Sequence, residues 1–130
     1  MKIVLDTNVV VSAFLSPMGK PATILRLVLL HELVICINTA ILTEYEQVLS
    51  RPKFTEKIFQ PSIRRFFEII YSFGIKINCA PSHIVLPDET DRKFYDVAKA
   101  ADATLITGNK KHYPKELIVQ DPAEFLIQLK

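Results

Sequence analysis

The sequence predicts an α/β fold, a mainly parallel sheet covered by helices on both faces. Three observations carry this. Short continuous apolar runs such as Ile3-Val4-Leu5, Leu33-Val34-Ile35-Cys36-Ile37 and Thr104-Leu105-Ile106-Thr107 have the length of strands buried on both faces. Between them lie segments with apolar residues three and four apart, the helical period. No repeat, low-complexity tract or Gly/Ser linker divides the 130 residues, which predicts a single domain over 1–130.

In chain order, Ile3–Leu5 forms a strand closed by Asp6. A loop containing Ser16, Pro17 and Gly19 follows. Pro21 then opens a helix bearing Ile24, Leu27, Val28 and Leu30. After the strand Leu33–Ile37, Thr39 precedes the stripe Ile41, Leu42, Tyr45, Val48 and Leu49, which stops near Pro52. Pro61 and Ser62 introduce a helix with Ile63, Phe66, Phe67, Ile69 and Ile70, ended by Gly74. A strand over Ile75–Cys79 and a short apolar run Ile84-Val85-Leu86 follow. Asp88 to Ala101 is helical through Phe94, Val97, Ala98 and Ala101. Thr104–Thr107 and Leu117–Val119 are strands, and Pro122 starts a last helix through Phe125, Leu126 and Leu129.

Composition excludes several classes. Hydrophobic residues make up 49% of the chain, too many for a disordered protein. No run approaches the roughly 18–20 apolar residues of a membrane span, and Asp6 falls where a signal peptide would stay apolar, so a cytoplasmic protein with no membrane partner is expected. Cys36 and Cys79 lie in apolar runs without a second Cys or His at ligand spacing and read as small buried hydrophobes. A net charge of +2 announces no strong grip on nucleic acid. Two basic groups are present, Arg51, Lys53, Lys57, Arg64 and Arg65, and Lys110, Lys111, His112 and Lys115. Such groups are most often solvated faces, and contact with RNA is the alternative.

In parallel sheets reactive groups collect beyond the carboxyl ends of the strands, which places Asp6, Asn38, Asn109 and Asp121 along one rim. Asp6 either caps the following turn or points a carboxylate into the rim crevice. Glu44 lies early in its helix beside the apolar stripe, whereas Glu46, about 200° around the helix, faces water. Asp91 precedes Phe94, Ala98 and Ala101 at offsets that put it on the buried side, with Asp88 or Thr90 free to cap. Asp96 is about 140° from Asp91 around the helix and could line the same cleft.

Two carboxylates about 4 Å apart repel by roughly 4 kcal/mol at an effective dielectric near 20, so converging acids need a cation among them. Oxygen donors without His or Cys at ligand spacing select Mg²⁺ or Mn²⁺ over Zn²⁺. Phosphodiester hydrolysis is the matching reaction class.

Taken together, Leu5-Asp6-Thr7-Asn8-Val9 with Ser12, Ser16-Pro17-Met18-Gly19, Thr43-Glu44, Leu49-Ser50-Arg51-Pro52-Lys53-Phe54, Asp91-Arg92-Lys93-Phe94 with Ala98, and Ala101 to Asn109 resemble the PIN-domain family. The likeness is greatest to its branch of toxin components from toxin–antitoxin systems, close to the VapC-type toxins. It runs through nearly the whole chain. The resemblance implies a three-layer α/β/α fold and a metal-dependent endoribonuclease. The family's first acid falls on Asp6, its helix Glu on Glu44 and its third acid on Asp91, as metal ligands and catalytic residues. Asp96 falls where this branch often carries a further acid, which implies a fourth metal ligand and catalytic residue there. The fourth acid of the family follows a Thr-Gly pair, and here that position is Asn109, which brings no charge. Thr107 and Asn8 stand where they would orient the carboxylates. A cognate antitoxin protein covering the cleft, an RNA substrate and a homodimer are also implied.

Other classes fit less well. A haloacid-dehalogenase-like phosphatase needs a second Asp where this chain has Asn8. A receiver domain needs an acid pair and a phosphoacceptor that are not found. A dinucleotide site needs a glycine-rich turn after the first strand. A PIN-like scaffold that binds RNA or protein without cleaving remains the alternative, through Asn109.

Overall fold

A computed structural model describes all 130 residues. Strand β1 spans Lys2–Leu5, β2 Val34–Ile37, β3 Ile75–Lys76, β4 Thr104–Ile106 and β5 Val119–Gln120. The helices are α1 (Thr7–Leu15), α2 (Lys20–Leu29), α3 (Thr39–Leu49), α4 (Pro52–Thr55), α5 (Gln60–Phe73), α6 (Arg92–Ala101) and α7 (Pro122–Leu129). Short 3₁₀ turns occupy Glu89–Asp91 and Lys110–His112.

The five strands form one sheet in the order β3-β2-β1-β4-β5. Every pairing is parallel, with Ile3 opposite both Ile35 and Thr104 and Leu5 opposite Ile106. The fold is therefore the predicted α/β/α architecture, with the sheet wholly rather than mainly parallel. The strand order reverses between β1 and β4, and a crevice opens at such a switch point beyond the carboxyl ends. Asp6 follows β1 and Thr107 follows β4, so both sit at this crevice.

Helix α1 is absent from the expectation, and its sequence explains why. Val9-Val10-Val11 is β-branched and loses rotamer freedom in a helix. Tertiary burial overrides that preference: Val9, Val10 and Ala13 are buried, and the Asp6 carbonyl accepts from the Val9 N–H at 2.9 Å. The strand expected over Ile75–Cys79 is paired only at Ile75–Lys76, although the Ile77 N–H still reaches the Ile37 carbonyl at 2.8 Å. The last strand begins two residues later than expected, at Val119.

Gly74 ends α5 as expected, but its backbone is ordinary, with φ −66°. A Cβ there would lie 2.4 Å from the Ile70 carbonyl oxygen at the end of α5 itself and 3.0 Å from Ile37 Cδ1 of β2, so the way the chain leaves α5 demands glycine. Helix α6 ends at Asp102 in the left-handed conformation, a role Asp tolerates better than most residues.

One contiguous core of buried apolar residues packs both sides of the sheet. Rings from four elements line up within it: Phe14 to Phe66 at 5.6 Å, Phe66 to Tyr45 at 5.9 Å and Tyr45 to Phe94 at 6.5 Å. Tyr45 is fully buried, and its hydroxyl donates to the Leu5 carbonyl at 2.5 Å. That bond pins α3, and with it Glu44, to the end of β1 where Asp6 emerges. Both cysteines are free thiols, and burial pushes their pKa up. No helix is long and apolar enough to cross a membrane.

Candidate active site

Asp6 is 4% exposed and is one of three buried polar residues, with Thr7 and Thr107. A buried carboxylate is costly unless its lone pairs are used. Here Oδ2 accepts from Thr107 Oγ1 and from the Tyr113 hydroxyl, both at 2.9 Å. Oδ1 has only a long contact, 3.4 Å from the Asn8 N–H. Asp6 thus caps α1 only through a long contact, and its Oδ1 has no closer partner at the cleft.

That cleft, of about 500 Å³, is lined by Asp6, Asn8, Glu44 and Asp91 together with Arg51, Lys53 and His112. Glu44 is reached by a short hydrogen bond from the Thr7 hydroxyl, and its Oε1 lies 2.7 Å from Lys93 Nζ. Glu46, as expected, is exposed and meets the Tyr71 hydroxyl. Asp91 precedes α6 without capping it, because Asp88 takes the neighbouring cap by accepting from the Thr90 N–H at 2.9 Å. The Asp91 carboxylate instead points inward and meets His112 Nδ1 at 3.0 Å.

The three acids act on common neighbours. Burial pushes the Asp91 carboxyl above its usual range, the charge of Asp6 adds to the rise, and the His112 contact opposes it. The Tyr113 hydroxyl is raised by burial and then by the charges of Asp6 and Asp91. The Tyr45 hydroxyl is raised by burial and then by Asp6 and Glu44. Both tyrosines are therefore fixed as neutral donors beside negative charge.

Asp96 is not brought to this place, contrary to the expectation. Its Oδ2 accepts from the Ser82 N–H at 3.0 Å, its Oδ1 is buried without a partner, and it does not line the cleft. The 140° of helix between it and Asp91 aims it at the segment after β3. Asn109 also lies outside the cleft lining. Its backbone N–H donates to Thr107 Oγ1 at 3.0 Å, so it buttresses the residue that holds Asp6. Thr107 touches the Asp6 carboxylate through its hydroxyl, whereas Asn8 does so only through its backbone N–H.

Three participants were not foreseen: Tyr113, His112 as the partner of Asp91, and Lys93 as the partner of Glu44. The signal for Tyr113 was an amphipathic ring inside a basic loop, since such a residue in a polar run is usually anchored by burial. Lys93 and His112 carried none, because each contact joins segments remote in sequence.

As placed, no three acidic, His or Cys side chains stand close enough to share one ion. Glu44 and Asp91 each lean toward a basic neighbour. The donor chemistry nevertheless fits a hard divalent cation: four carboxylates line one cleft, Asp6, Glu44 and Asp91 with Asp88 at its edge, no thiol is among them, and one Asp6 oxygen has only a long contact. A second cavity on the same rim, about 510 Å³ between α3 and the segment after β3, contains no acid.

The chain belongs to the PIN domain family, whose model matches residues 2–111. It is similar to the uncharacterized protein MJ1680 of Methanocaldococcus jannaschii, 33% identical over 111 residues that make up 85% of this chain and 72% of that protein. Its fold matches a chain in the crystal structure of VapBC2 from Rickettsia felis bound to a DNA fragment from their promoter. The TM-score is 0.58 at 20% identity, covering 93% of this chain and 98% of that one.

Proposed function

We propose that this PIN domain, spanning residues 1–130, is a metal-dependent endoribonuclease that hydrolyses RNA phosphodiester bonds. Asp6, Glu44 and Asp91 serve as its metal ligands and catalytic acids. The observation that carries the reading is that acids from three distant segments line one cleft at the switch point of the sheet, with one Asp6 oxygen lightly engaged. Mg²⁺ or Mn²⁺ bound there would lower the pKa of a water and offset charge on the leaving oxygen.

The chain's own residues prepare that chemistry. Thr107 and Tyr113 hold Asp6 Oδ2, which fixes the carboxylate plane and leaves Oδ1 to bind. Thr7 orients Glu44 through Oε2. Burial of Asp91 and the charge of Asp6 make its ionised form costly, which favours a cation beside it. Asp96 has no part in the proposed ligand set. The fold likeness to a chain of VapBC2 supports a toxin of a toxin–antitoxin pair with a protein antitoxin as partner. The proposed toxin acts in the cytoplasm and assembles as a homodimer.

A second reading, a scaffold that binds RNA or protein without cleaving, is favoured by the basic side chains already beside Glu44 and Asp91 and by the uncharged Asn109. One experiment separates the two. Purified protein is incubated with mixed RNA and Mg²⁺ or Mn²⁺, against chelator and against Asp6→Asn. Cleavage that needs both metal and Asp6 supports the nuclease, and binding without cleavage supports the scaffold.

A further inference from the structure

The basic run Arg51, Lys53, Lys57, Arg64 and Arg65 is divided by the fold. Arg51 and Lys53 line the acidic cleft, while Lys57, Arg64 and Arg65 do not. Extended backbone at Arg51 ahead of Pro52 separates α3 from α4, and the residues on either side of this proline both line the cleft. Both are exposed, and neither forms an ion pair with a carboxylate. Lys53 Nζ rests 5.0 Å from the centre of the Phe54 ring, which also lines the cleft. A cation–π contact of this kind holds an ammonium in place without neutralising it.

The opposite lip is different. Asp88 and Thr90 line it, and the basic side chains on that side are already engaged, His112 with Asp91 and Lys93 with Glu44 and the Thr90 carbonyl. An acidic floor repels a polyanion, so a nucleic acid can enter only along a wall that supplies compensating charge. One lip does so and the other does not.

We infer that Arg51 and Lys53 form the phosphate-binding wall of this cleft, gripping the backbone of single-stranded RNA on the α3–α4 side of the acids. The inference rests on the proposed nuclease site and adds to it the side along which the substrate runs. Phe54 is the positioning residue for Lys53. Each cation takes one phosphate, so each contributes its own share to the salt dependence of binding. The remaining cations of the run are solvated and contribute nothing specific.

The test measures binding by fluorescence anisotropy of a labelled single-stranded RNA across a salt series. It uses the full chain carrying Asp6→Asn with Mg²⁺, so that cleavage does not interfere. Arg51→Ala and Lys53→Ala each raise Kd several-fold and reduce the slope of log K against log salt by about 0.7, the value for one phosphate on a single strand. The pair together reduces it by about 1.4. Lys53→Glu weakens binding further, and Lys57→Ala and Arg64→Ala match the parent. An unchanged Kd and slope in the double variant overturns the inference, as does an equal loss in the Lys57 or Arg64 variants. Cleavage is assayed separately in the protein with Asp6 intact. Loss of binding in the Arg51 and Lys53 variants without any metal-dependent cleavage leaves the wall standing and removes the nuclease.

Discussion

The Tyr113 hydroxyl donates to Asp6 Oδ2 at 2.9 Å, joining the loop after β4 to the end of β1 across 107 residues of chain. The hydroxyl is buried and held far from ionisation by its own burial and by Asp6. It is therefore a permanent donor to the Asp6 carboxylate.

Tyr113→Phe should thus remove one buried, charge-assisted bond and keep the ring packing. The expected cost is about 1.5–3 kcal/mol of stability, together with a fall in cleavage rate of about ten-fold or more. Urea denaturation and single-turnover kinetics check both. Because the hydroxyl does not ionise in the accessible range, the rate profile of the unmutated protein should show no step from this tyrosine at pH 10.

Thr107→Val tests the companion bond. Valine keeps the shape but removes the donor to Asp6 and the acceptor for the Asn109 N–H. A loss of about 2–3 kcal/mol is expected in equilibrium unfolding, with Thr107→Ser recovering much of it. Equal stability of Thr107→Val and the parent would contradict the account of how Asp6 is held.

Asp91 gives a pH prediction with a definite sign. Its folded pKa is raised, so the folded state binds this proton more tightly than the unfolded one. The associated stabilisation is complete below the ordinary carboxylate pKa near 3.8 and is lost as pH rises through the folded value. At neutral pH the charged carboxylate therefore weighs against folding. Asp91→Asn should raise the thermal midpoint at pH 7, with the gain disappearing below about pH 4, while abolishing cleavage. A stability gain bought with activity is the usual mark of a functional acid.

Gly74→Ala provides a control remote from the cleft. The new Cβ meets backbone, the Ile70 carbonyl, which cannot swing away. A loss of about 1–3 kcal/mol is expected from overpacking. The cleavage rate should be unchanged below the melting transition, as read by calorimetry and the RNA assay.

How much of this was legible in the residues depends on whether a feature is local. The strand Ile3–Leu5 closing on Asp6, the stripe beside Glu44 and the offsets from Asp91 to Phe94 are written over a few residues, and the fold carries all three acids to one cleft. Parallel topology then put that cleft at the predicted rim. Helix α1 was hidden because three valines argue locally for a strand, and only burial against the sheet decides otherwise. Asp96 departs from the expectation because about 140° of helix separates it from Asp91 and turns it toward Ser82. Tyr113, His112 and Lys93 could not be assigned, since each acts on a partner that lies far off in the chain or across a turn between elements.

Direct titration with Mn²⁺, followed by the loss of the free-ion electron paramagnetic resonance signal, tests the account at its centre. Asp6→Asn, Glu44→Gln and Asp91→Asn should each weaken binding by about ten-fold or more, and Asp96→Asn should bind as the unmutated protein does. Unweakened binding in the first three variants, or a loss at Asp96 as large as theirs, would contradict a shared ion held by Asp6, Glu44 and Asp91.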